Sequence, residues 1–85
     1  MKIYNYNGKA NIIGKNIYNL RKKAGLSQEE LAAKMQLNSI ELSQKAISRI
    51  EKQERFVTDY ELLTLLKILK INTSDLVNLL ELNEK

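Results

Sequence analysis

Apolar residues recur along this chain at helical spacing, and polar residues suited to helix starts punctuate the recurrences. Ile13, Ile17, Leu20 and Ala24 stand at i, i+4, i+7 and i+11, which gathers them in one buried stripe on a helix over residues 12–24. Asn11 is its expected N-cap, and Gly25 its stop, because glycine accepts a positive φ. Lys22 and Lys23 in the last turn suit the negative end of the helix dipole. A second helix starts at Ser27-Gln28-Glu29-Glu30, a capping box in which Ser27 caps and Glu30 reaches back. Leu31 and Met35 face inward, Ala32 is small enough for a helix crossing, and the helix ends near Gln36 or Leu37.

Residues 38–42 read as a connector with two apolar anchors, Ile40 and Leu42. Ser43 caps a short third helix running to about Lys52. Ala46, Ile47 and Ile50 turn to the core, and Gln44, Lys45, Ser48, Arg49 and Lys52 turn away from it. A polar loop over 53–57 has Phe56 as its anchor. Thr58-Asp59-Tyr60-Glu61 is a second capping box and opens a fourth helix with Leu62, Leu65, Leu66 and Leu69 inward. Asn72-Thr73-Ser74-Asp75 resembles a third such box, opening a fifth helix with Leu76, Val77, Leu79, Leu80 and Leu82. Three such starts at sensible intervals predict an all-α fold of five helices. The layout expected is a flexible basic arm over 1–10, one domain over 11–82 and a tail over 83–85. There is no internal repeat.

Composition narrows the chemistry. The chain has 85 residues, enough for one small domain. It contains no Cys and no His, which removes disulfides, zinc ribbons, thiol nucleophiles, Ser-His-Asp triads and the usual acid–base group near neutral pH. Apolar runs are only a few residues long, too short to span a membrane, and the N-terminus has no signal-like apolar stretch. The expectation is a cytoplasmic protein that needs no cofactor and no metal. The net charge of +4 is uneven. Up to Leu26 the chain carries Lys2, Lys9, Lys15, Arg21, Lys22 and Lys23 and no acid, the middle balances, and the end is acidic. A chain basic at one end and acidic at the other suggests a polyanion partner at the basic end.

Taken in order, GKNIYNLRKKAGLSQEELAAKM, SQKAISRIEKQ and ELLTLLKILKINTSDL resemble the lambda-repressor-like (XRE/Cro-like) helix-turn-helix family. The marks are Arg21, the Gly25-Leu26-Ser27-Gln28 junction, Leu31-Ala32, Ile47-Ser48, Ile50-Glu51 and the leucine-rich fourth helix. The resemblance spans residues 12–80 and implies a double-stranded DNA-binding transcriptional regulator, most often a repressor. It makes helix two the positioning helix and helix three the reader of the major groove. Gln44, Lys45, Ser48 and Arg49 match positions that meet bases. Gln28, Ser43, Lys52 and Arg55 match positions at the phosphate backbone, and Arg21 and Glu51 match a structural ion pair. The chain departs from the family between Ala32 and Ile47, where it is about five residues longer than usual. An extended loop between helices two and three, or one more turn of helix two, is expected there. The insertion leaves open which of Gln44 and Lys45 reaches a base. Gln36 replaces the usual turn glycine. Gln53 stands where family members often have Gly, so it is expected to adopt the left-handed conformation at a cost of about 1 kcal/mol.

Val77 and Leu82 would remain as an exposed strip, which in so small a chain suggests a homodimer contact. Two other functional classes stand beside DNA binding. The alternative is a protein-interaction module on the same fold, such as an antitoxin-type partner or the detached N-terminal domain of a larger regulator. An enzyme is not expected: Glu29 and Glu30 are helix-start charges, and Glu51 has its Arg21 partner.

Overall fold

The computed structural model describes residues 6–72, 74, 75, 77 and 78. Helices form beside the expected capping residues: α1 (Gly14–Lys23), α2 (Gln28–Leu37), α3 (Gln44–Glu51) and α4 (Asp59–Ile68). Both expected boxes of α2 and α4 are closed in full. Ser27 Oγ accepts from the Glu30 N–H while Glu30 accepts from the Ser27 N–H, and Thr58 and Glu61 do the same. Ser43 accepts from the Ala46 N–H and starts α3. Each bond satisfies an amide that the first helical turn would otherwise leave open.

All four helices also end alike. The amide of the second residue past the cap reaches back five residues, and the amide before it reaches back to the next carbonyl. Leu26 donates to Arg21 O, Ile40 to Met35 O, Glu54 to Arg49 O and Ile71 to Leu66 O. This closure requires a left-handed residue just past the cap. Gly25 supplies it after α1 at φ 73°, whereas Ser39, Gln53 and Lys70 supply it after the others at φ 64°, 64° and 53°. The left-handed geometry expected of Gln53 is therefore present, and it recurs twice more.

The core comprises Ile17, Leu20, Leu31, Met35, Leu42, Ile47, Ile50, Leu65 and Leu69, with Ile13, Ile40, Ala46, Val57, Leu62 and Leu66 packed partly against it. Most of these are the inward positions of the helical stripes, and Ile40, Leu42 and Val57 come from the connections between helices. α3 packs on both α1 and α2, and α4 closes against α2. Ile40 and Leu42 hold the six-residue connector 38–43 to the core, as expected of anchors.

Some local expectations change. α1 begins at Gly14 rather than residue 12, with Ile13 at the cap position. Asn11 still satisfies the open amides, but from outside the helix: its Oδ1 accepts from Ile13 N at 3.1 Å and Gly14 N at 2.7 Å. Ala24 is exposed because the chain turns at Gly25, and Leu26 takes the inward place instead. Phe56 is 47% exposed, and Val57 packs against the core in its stead. In the stretch read as a loose arm, Tyr6 and Lys9 exchange backbone hydrogen bonds across Asn7-Gly8. Both central residues have positive φ, 53° and 81°, as a tight hairpin turn of Asn-Gly type demands.

At the third expected box, Asn72 Oδ1 accepts from Asp75 N and Asp75 Oδ2 accepts from Asn72 N. Most of the fifth helix expected beyond it, with Leu76, Leu79, Leu80 and Leu82, lies outside the described residues, as do residues 1–5. No described helix is long and apolar enough to cross a membrane.

Candidate nucleic-acid interface

The two faces of α3 are sharply divided. Ile47 and Ile50 are buried, while Gln44, Lys45 and Arg49 are exposed and Ser48 is half-buried. A short helix fixed by its apolar side to two neighbours presents the other side as a rigid ridge. That is the shape a duplex groove accepts. The N-terminus of α2 stands beside the N-terminus of α3. Between them and the end of α1 lies an open concavity of about 740 Å³, bordered by Lys22, Gly25, Ser27, Gln28 and Gln44 and also by Glu29 and Glu30. Backbone amides at a helix start and a lysine at its rim favour an anionic group, and the two carboxylates oppose one.

A chain of polar side chains ties these elements together. Arg21 on α1 and Glu51 on α3 form a two-pronged ion pair, Nε to Oε2 at 2.6 Å and Nη2 to Oε1 at 3.1 Å. Their side chains are only 7% and 5% exposed. Arg21 Nη1 also donates to Leu26 O at 2.8 Å, and the guanidinium lies over the Tyr18 ring. One guanidinium therefore holds α1, the turn into α2, and the end of α3. The hydrogen bonds to Glu51 raise the Arg21 pKa above its already high value, against the opposing effect of burial. The ion pair expected from the sequence is thus formed. Gln28 Nε2 donates to Glu51 Oε1 at 2.9 Å, and Gln44 Nε2 donates to Gln28 Oε1 at 2.6 Å. Arg21, Glu51, Gln28 and Gln44 make one continuous network from a buried pair to an exposed amide.

The remaining residues singled out from the sequence are placed less uniformly. Lys45 and Lys52 are exposed, and Lys52 caps the end of α3. Arg49 is exposed on α3, with its guanidinium leaning on Glu54: Nη2 donates to Glu54 O at 3.3 Å. Both partners of that contact lie in solvent, so releasing it costs little. Ser43 Oγ is engaged as the helix cap. Arg55 does not project away from the protein. It grips Glu61 with two bonds of 3.1 and 3.2 Å and donates to Phe56 O at 2.9 Å. Burial pushes the Glu61 carboxyl up, but the Arg55 hydrogen bonds and the Thr58 N–H outweigh it and hold the pKa below the usual carboxylate value.

Three residues that hold α3 against the start of α1, Asn11, Gln53 and Gly14, are not legible in the sequence in that role. Asn11, read only as a cap, donates Nδ2 to Ile50 O at 3.1 Å and to Arg55 O at 2.7 Å. Its amide makes bonds with both ends of a junction between the start of α1 and the end of α3. Gln53 reinforces it, donating to Asn11 O at 3.3 Å and accepting from Ala10 N at 3.0 Å. Gly14 is the point of closest approach. A Cβ there would collide with Ile50 O and would press on Asn11 Oδ1 and Gln53 Cγ, each at 3.0 Å. The signal available was a glycine at the first turn of a helix, where glycine brings no gain in propensity.

A family model described as Helix-turn-helix matches residues 17–76, a stretch that contains all four helices except the first turn of α1. No curated protein and no solved structure matches the chain.

Proposed function

The chain belongs to the lambda-repressor-like helix-turn-helix family, a family of DNA-binding regulators, and on that premise we propose that it is a sequence-specific double-stranded DNA-binding transcriptional repressor. α3 reads the major groove. The observation that carries this reading is the exposed ridge of Gln44, Lys45 and Arg49 on a helix whose opposite face is buried. Gln44 is the base-reading amide of the first turn, because the bond it donates to Gln28 holds it in place, whereas Lys45 serves as a mobile charge. Gln28 keeps one amide N–H for a phosphate beside the start of α2, and Lys52 meets the backbone past the end of α3. Ser43 and Arg55 take part through backbone placement, their side chains being held within the protein. The connector 38–43 is the lengthened turn of the motif.

The working unit is a homodimer on two half-sites about one helical turn apart. Its support is apolar surface that a small monomer would leave in water: Leu63 at 67%, Tyr60 at 59% and Val77 at 44% exposure. The same surface supports a second reading, a protein-interaction module on this fold. Selection of bound duplexes from a random pool tests the first. The expected result is one enriched motif with two symmetric halves, and recovery of no motif at low salt would refute it. Gel filtration with and without duplex then separates the two readings, since the module elutes unchanged by DNA.

A further inference from the structure

We propose that Glu51 determines sequence preference at a distance: through Gln28, its carboxylate fixes which edge of the Gln44 amide faces the bases. This rests on the reading of Gln44 as a base contact. The polarity of each link is forced by the one before it. Arg21 can only donate and an ionised carboxylate can only accept, so the pair at 2.6 and 3.1 Å has one arrangement. The acceptor Oε1 of Glu51 requires the NH2 side of the Gln28 amide, and Nε2 stands 2.9 Å from it. That leaves the Gln28 oxygen on the opposite side, where it can only accept. Gln44 must therefore offer its own NH2 side, and does so at 2.6 Å.

The order runs outward from a pair that water hardly reaches to an exposed glutamine. An amide left to itself could turn over and exchange its donor and acceptor. Here the buried end excludes that reversal. The oxygen and remaining N–H of Gln44 then face outward in one fixed order, which is the pattern that suits the N6 amino group and N7 of adenine. The ion pair thus does more than join α1 to α3: it supplies the reference from which the reading amide takes its orientation.

The experiment measures binding of the full chain by fluorescence anisotropy. The probes are the duplex recovered by selection and its single base-pair substitutions. A bidentate amide discriminates the right base about 5- to 150-fold. In Glu51→Gln the residue at 51 can present either an oxygen or an NH2 group, so both orders of the Gln28 and Gln44 amides become available. The discrimination at the base pair read by Gln44 is expected to fall at least about threefold, with preference at the other positions kept. Arg21→Met combined with Glu51→Gln removes both charges together and gives the same result should the single variant unfold. In a Gln44→Ala background, Glu51→Gln is expected to change no preference further. A uniform loss of affinity on every duplex, with the preference at that base pair intact, would leave Glu51 a purely structural residue and overturn the proposal. If Gln44→Ala itself leaves all preferences unchanged, the reading of Gln44 fails and the proposal fails with it.

Discussion

Adding one methyl group at Gly14 is expected to unseat α3. A Cβ at this position meets the carbonyl oxygen of Ile50 at a separation no real pair of atoms sustains, and its other neighbours are already at 3.0 Å. The obstacle is backbone, so no rotamer change relieves it, and the start of α1 must move away from the end of α3. Overpacking of this kind costs about 1–3 kcal/mol. The same displacement stretches the two bonds from Asn11 to Ile50 O and Arg55 O, each contributing about 0.5–1.5 kcal/mol. Against this, alanine in a helix gains about 0.5–1 kcal/mol over glycine. The balance is a loss of about 2–4 kcal/mol, a large share of the roughly 4–13 kcal/mol expected for a domain of this size. Urea unfolding followed by helical circular dichroism measures it, and the thermal midpoint should fall by at least about 10 °C. Gly25→Ala is the control. A Cβ there has nothing within 4 Å but sits at φ +73°, so its loss is about 1 kcal/mol, from backbone strain alone. Gly14→Ala as stable as wild type, or less damaging than Gly25→Ala, would refute the close-approach argument.

Other substitutions test other parts of the structure. Arg21→Met is expected to cost about 3 kcal/mol because it strands a buried Glu51 carboxylate, and adding Glu51→Gln should restore part of that loss; equilibrium unfolding of the two variants shows whether it does. The folded-state pKa of Glu61 is depressed, so its contribution is complete at neutral pH and disappears as pH falls from about 5 through the lowered value. Glu61→Gln should accordingly flatten the acid side of a stability-against-pH curve, and an unchanged slope would count against the Arg55 pair. Ser39→Gly and Lys70→Gly relieve exposed residues held at φ 64° and 53°, and each should stabilise by about 0.5–1 kcal/mol in a thermal melt. On DNA, Arg49→Ala should cost about 1–3 kcal/mol at one base pair, whereas Lys52→Ala should weaken all duplexes alike and reduce the salt slope by about 0.9.

The placement of the helices was legible in the sequence because it depends on neighbours. Ser27 with Glu30, Ser43 with Ala46, and Thr58 with Glu61 are three residues apart, and their capping bonds need no other part of the chain. The apolar stripes follow from the helical repeat alone, which is why Ile17, Leu31, Met35, Ile47, Ile50 and Leu65 were found as core. Where a stripe was carried past a helix end, as at Ala24, it failed, because the turn at Gly25 redirects the chain. The outward face of α3 follows from the same periodicity, and the Arg21–Glu51 pair was reached through the family resemblance.

Only the tertiary structure decided how α3 is held. Asn11 bonds to residues 39 and 44 positions away, Arg21 to one 30 away, and Gln28 to one 23 away. A side chain's spacing to its near neighbours carries no information about partners so far along the chain. The resemblance put Arg55 at the phosphate backbone, and only the structure shows its guanidinium engaged by Glu61, the partner of Thr58 in the capping box. Gly14 shows the limit most plainly. Its importance lies in the side chain it lacks, and the space that side chain would fill belongs to a carbonyl 36 residues later. Local physics therefore set the helices and their faces. Their mutual packing set the angle of α3 and the bond that Gln44 donates to Gln28.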